Sequence, residues 1–124
     1  MKKFIGYSIG IVSFLGFIIF LSFKFAENSG ENVLSATPQS PGFEHNDKGI
    51  KYFREFEMIL AKNAFLEAIK ADEKLAVAHY NLGLTLHRLD MHPQATKHFA
   101  HAVELAPNNT SLTSSAVLKS HLGG

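Results

Sequence analysis

Histidine is the residue type here whose chemistry first asks for an explanation: seven occur in 124 residues, and no cysteine accompanies them. His98 and His101 stand three apart, a spacing that brings two imidazoles to one side of a helix. A zinc site needs three or four donors, commonly with a carboxylate or thiolate among them, and Glu104 is the nearest candidate. A solvated helix face explains the same spacing without an ion. We therefore expect no metal and no cofactor, with His87 and His92 lying near an inter-helix loop as surface or groove residues. No paired carboxylates, glycine-rich phosphate loop or Ser–His–Asp arrangement stands out, so the expectation is a protein that is not an enzyme. The missing cysteine excludes a disulfide framework, thiolate catalysis, Cys-ligated zinc, covalent c-type haem and a lipidated N-terminal Cys. A net charge of +1 gives no bulk electrostatic case for nucleic acid.

The elements that would position these groups are organised around Ala76 to Asn109. Within that stretch Leu82-Gly83, Leu86, Ala95-x3-Phe99, Ala102 and Pro107 follow one another at set spacings. The same types recur 34 residues earlier: Gly49 for Gly83, Tyr52 for Leu86, Ala61 for Ala95, Phe65 for Phe99 and Ala68 for Ala102. Small residues let two antiparallel helices approach, and a Phe fills the space where they diverge. Pro93 suits the first turn of a helix and Pro107 the end of one. The order and spacing resemble the tetratricopeptide repeat, a helix–turn–helix unit of 34 residues. His79 stands where that family usually has Trp. In the earlier copy Lys48 replaces Leu82 and Glu73 replaces Pro107, so that repeat is degenerate.

The periodicity predicts helices near 43–55, 59–71, 75–89, 93–105 and 110–121. Asp72 and Asn109 are the expected N-caps of the third and fifth. The fifth begins where a third repeat would, and reads as a capping helix. Upstream, Ala26 to Gly42 is small, polar and broken by Pro38 and Pro41; it reads as a flexible linker. Phe4 to Phe23 is uncharged, and thirteen of its residues are Phe, Ile, Leu or Val. As a helix it would span about 30 Å, the hydrocarbon thickness of a bilayer. Lys2 and Lys3 against the lone Lys24 place its N-terminal side in the cytoplasm. A signal peptide is the rival, but the block is long and Phe23-Lys24-Phe25-Ala26 lacks a small-x-small site. The fold class is thus all-α: a transmembrane anchor (1–25), a linker (26–42) and a short α-solenoid of about two repeats with a capping helix (43–124).

The resemblance implies an interaction module that takes a peptide or a partner helix in the concave surface made by the first helix of each repeat. By spacing, that surface would comprise Val77, Tyr80, Asn81, Leu84, His87 and Arg88 from the clear repeat. The degenerate one would add Asn46, Ile50, Phe53 and Arg54. Of the basic clamp that some members use for a C-terminal carboxylate, only Asn81 has a counterpart. The reading is a single-pass membrane scaffold, assembly factor or accessory subunit with its repeats periplasmic or exoplasmic. Its partners would be another protein and the lipid bilayer, and homo-oligomers fit as well. The alternative is a secreted or periplasmic binding protein with a cleaved signal peptide. Phe43, Phe53 and Phe56 could either pack the first repeat or await a partner.

Overall fold

The computed structural model describes residues 31–123, and all regular structure among them is helical. The apolar block Phe4–Phe23 and the first five residues of the linker lie outside the described residues. Among the described residues no helix is long and apolar enough to cross a membrane.

Six helices follow in order: α1 (Phe43–Arg54), α2 (Met58–Ala71), α3 (Ala76–Arg88), α4 (His92–Leu105), α5 (Thr110–Thr113) and α6 (Ala116–Leu122). The first four form two antiparallel hairpins, and α3 packs against both α2 and α4. The sequence landmarks do the joining. Ala61, Ala68, Ala95, Ala102, Phe65 and Phe99 are all fully buried. A Cβ added at Gly83 would come within 2.6 Å of the Phe99 ring, and one at Gly49 within 2.5 Å of Phe65. Each Phe therefore lies on bare backbone of the facing helix, at equivalent places in the two hairpins. The turns repeat as well. Phe56 and Asp90, 34 residues apart, both have positive φ (61° and 58°), and each turn is closed by a 2.9 Å backbone bond, Glu57 N to Tyr52 O and Met91 N to Leu86 O. Asp tolerates that left-handed conformation; for Phe it carries a penalty of about 1–2 kcal/mol. The degenerate first repeat thus folds as a full hairpin, its geometry copied from the clear one.

Three expectations need correction. Asp72 does not cap α3. It closes α2, with its carboxylate accepting from the Lys74 amide at 3.2 Å and from the Ser40 hydroxyl at 2.9 Å. The single helix expected at 110–121 is broken at Ser114-Ser115. Asn109 caps α5 as expected, but Ser115 accepts from the Leu118 amide and starts α6 afresh. Residues 31–42, finally, are no free linker. The Gly42 backbone lies so close to α2 that a Cβ there would sit 2.6 Å from the Ala68 carbonyl oxygen. Ala36 is buried, and Val33 and Leu34 pack against the core. Phe53 joins that core, Phe43 is half-buried and Phe56 is exposed. On α2, Ile59, Leu60 and Leu66 stay exposed.

Candidate functional site: the concave face and two histidine clusters

α1 and α3 lie side by side, and each carries one buried asparagine. Asn46 and Asn81 are fully buried, which requires every polar atom to find a partner. The partner is the upstream strap, residues 31–36. The Leu34 amide donates to Asn81 Oδ1 at 2.7 Å. The Leu34 carbonyl accepts from Asn81 Nδ2 at 2.8 Å and from Asn46 Nδ2 at 3.1 Å. Asn81 Nδ2 also donates to Asn46 Oδ1 at 2.9 Å, so the two amides hold one another while gripping a peptide unit. At the upstream end Arg88 pairs with Glu31. The Arg88 guanidinium lies 4.4 Å from the centre of the Phe53 ring and 5.5 Å from that of Phe56, a cation–π contact that orients it.

The ten residues assigned to the groove separate into two groups. Asn46, Ile50, Phe53, Tyr80, Asn81 and Leu84 are buried, the apolar four as members of the core against which Val33 and Leu34 pack. Burial pushes the Tyr80 phenol pKa up. Arg54 is exposed, and Val77, His87 and Arg88 are half-buried. Tyr80 and Leu84 are therefore packing residues, and truncating them would open cavities rather than edit a surface. What the spacing missed was the occupant. Val33-Leu34, the one apolar pair in the polar stretch, was the available signal.

The histidines also assemble differently from the sequence expectation. Six of the seven fall into two clusters that span helices. In the first, the His79 ring is 5.4 Å from that of His98 and 4.5 Å from that of His101. His79 Nε2 donates to the Glu73 carbonyl at 3.0 Å, which leaves its Nδ1 to accept from His98 Nδ1–H at 3.2 Å. His98 is thus not a solvated face residue. Burial is the main cause of its pKa falling to about 4, with repulsion from His79 and His101 adding to it. Burial likewise lowers the pKa of His79, opposed in part by the Glu73 carbonyl. His101 lies 3.6 Å from Glu104 at the exposed edge. Both depressed groups bind a proton more readily in the unfolded chain. Their contribution is fully present above about pH 6.5, the ordinary histidine value, and is lost as the pH falls toward about 4. Melting temperature is expected to drop across that window, and His98→Gln to flatten part of the slope. An unchanged slope in the variant would remove His98 from the account.

In the second cluster, His87, His92 and His121 bring their rings within 5.1–5.5 Å of one another. Partial burial, then repulsion from His87 and His92, lowers the His121 pKa. Among the described residues no other three ligand-type side chains converge as closely.

Two helical hairpins whose first helices share one face, with residues 31–36 laid across it, make up a short helical-repeat array. The family model that matches, at residues 76–109, is that of the tetratricopeptide repeat, and its span takes in α3, the turn and α4. Residues 76–109 are similar to that repeat, and α1–α2 form a hairpin with the same Gly–Phe contact and turn. Neither the curated proteins nor the solved structures contain a match to the chain. Repeats of this family bind other proteins.

Proposed function

We propose that the face between α1 and α3 captures an extended partner segment by its backbone, and that residues 31–36 hold this face until such a segment displaces them. The observation that carries this is the grip of Asn46 and Asn81 on both polar backbone groups of Leu34. Main-chain bonds supply affinity for any extended peptide, while side-chain contacts set preference. Arg88 favours an acidic residue three positions before the gripped one, and the core beneath favours an aliphatic pair, as in Glu31 followed by Val33-Leu34. An anchor at Phe4–Phe23 would hold this module at a bilayer, repeats on the periplasmic or exoplasmic side. That setting suits a scaffold, assembly factor or accessory subunit of a membrane complex, and it would also concentrate a second copy.

A labelled peptide spanning residues 29–38 provides the test against the full chain. Val33→Asp with Leu34→Asp should expel the strap and allow the peptide to bind in trans. The unaltered chain should bind it at least tenfold more weakly, because a tethered competitor acts at an effective concentration of about millimolar. Asn81→Ala in the opened chain should abolish binding. Equal binding by the opened and unaltered chains, or retention after Asn81→Ala, would refute the reading.

A further inference from the structure

We propose that His87, His92 and His121 form a binding site for a divalent transition metal of the zinc class. The three come from different elements: the last turn of α3, the first residue of α4 and the last turn of α6. One nitrogen from each lies within 4.8 Å of the others, and His87 Nδ1 is already 2.9 Å from His121 Nε2. Two nitrogens on one tetrahedral zinc, each at about 2.0–2.1 Å, are about 3.3 Å apart. The close pair has to open by only a few tenths of an ångström. His92 is exposed, so its ring can swing in to complete the set.

The hydrogen bonds around His121 prepare it as a ligand. Thr96 uses its one hydroxyl proton on the His92 carbonyl at 3.0 Å. Its oxygen is then the acceptor for His121 Nδ1–H, at 2.9 Å. That bond fixes the tautomer and leaves Nε2 as the acceptor facing His87 Nδ1, whose proton moves to its own Nε2 when both nitrogens turn to a metal. A partner on the far ring nitrogen is the usual way a metal-bound imidazole is oriented. The ring also rests against Phe99, 5.1 Å between centres, which limits its tilt. Three neutral imidazoles favour zinc, copper or nickel over the oxygen-seeking magnesium and calcium. With three protein ligands, the fourth position stays open to water or to a donor from elsewhere.

Bound there, the ion would fasten α6 across the turn between α3 and α4 and close that end of the repeat array. Since the three nitrogens meet only in the folded chain, occupancy raises stability with metal concentration. The competing explanation is a surface cluster held by a single N–H···N bond between His87 and His121, which would bind no ion selectively.

The full chain, stripped with chelator, is titrated with Co2+ as a spectroscopic reporter and then with Zn2+. One equivalent should saturate, four-coordinate Co2+ should show its visible bands, Zn2+ should displace it, and excess Mg2+ should not. The melting temperature should rise with Zn2+. His121→Gln and His87→Gln should abolish the bands, and so should His92→Gln, whose exposed position rules out misfolding as the cause. Thr96→Val should weaken binding about 10- to 100-fold, the range for residues that orient a ligand. His98→Gln should leave the Co2+ bands and Zn2+ affinity unchanged. Binding that fails to saturate, survives all three histidine changes or is lost only with His98→Gln would overturn the proposal.

Discussion

Asn81→Ala is expected to destabilise the helical array by about 2–4 kcal/mol and to release the strap over the α1–α3 face. The side chain makes three hydrogen bonds at a fully buried position, to both polar groups of Leu34 and to Asn46 Oδ1. Alanine removes the acceptor of the Leu34 amide and the donor to Asn46 at once. Each stranded group costs about 1–3 kcal/mol unless water reaches it. Water can reach the half-buried Leu34 amide only if residues 31–36 lift away, so loss of stability and release of the strap are one event. Denaturant unfolding gives the first quantity, and hydrogen exchange at the Leu34 amide gives the second. Retention of that amide's protection in the variant would show that the strap is held by its apolar side chains alone. Arg88→Ala should have a smaller effect, because its ion pair with Glu31 is partly solvated and such pairs contribute at most about 1 kcal/mol.

Phe99→Ala should cost more, about 3–5 kcal/mol, because the ring is fully buried and its site is walled by helix backbone that cannot collapse into the gap. Native domains are stable by only about 5–15 kcal/mol. The variant should therefore lose a large share of its stability, seen as a lower denaturant midpoint by far-UV circular dichroism. Phe65→Ala should behave alike, since Phe65 occupies the equivalent place over Gly49. The reciprocal substitution separates packing from helix propensity. Gly83→Ala gains about 1 kcal/mol of propensity but forces a methyl to within 2.6 Å of the Phe99 ring. Overpacking of that kind costs about 1–3 kcal/mol, so a net loss is expected. Pairing Gly83→Ala with Phe99→Leu should lose less than the sum of the two single changes, because the smaller side chain accepts the methyl. A more stable Gly83→Ala protein would show that the Phe99 ring can shift, and that the close approach imposes little.

How much of this was legible before folding follows from the range of each interaction. The four long helices agree with the sequence reading to within about a residue at each end, because their apolar spacing and breakers act within a turn or two. The 34-residue offset indicated the two hairpins; that Phe99 lies over Gly83 and Phe65 over Gly49, and that the turns close alike at Tyr52 and Leu86, came from the structure. The groove faces were what the resemblance implied, and Tyr80 and Leu84 lie in the core against which Val33 and Leu34 pack. From Ala78 to Leu86 every residue of α3 is buried, since α1, α2, α4 and α6 surround it. With helices on its other sides and residues 31–36 over the Asn81 face, α3 shows no periodic signal to mark which face the strap covers.

The sequence by itself determined the helices, the repeat and the absence of cysteine chemistry, all of them local or periodic properties. Tertiary structure decided what those helices hold. Leu34 meets Asn81 across 47 residues, and the strap around it is too polar and too short to announce a docked conformation. His79 finds His98, and His87 finds His121, only once the hairpins pack in register and α6 folds back over them. Spacing along one helix pointed to His98 with His101. The partners that fix each ring come from neighbouring helices, because an imidazole reaches across a helix–helix contact as readily as along a turn.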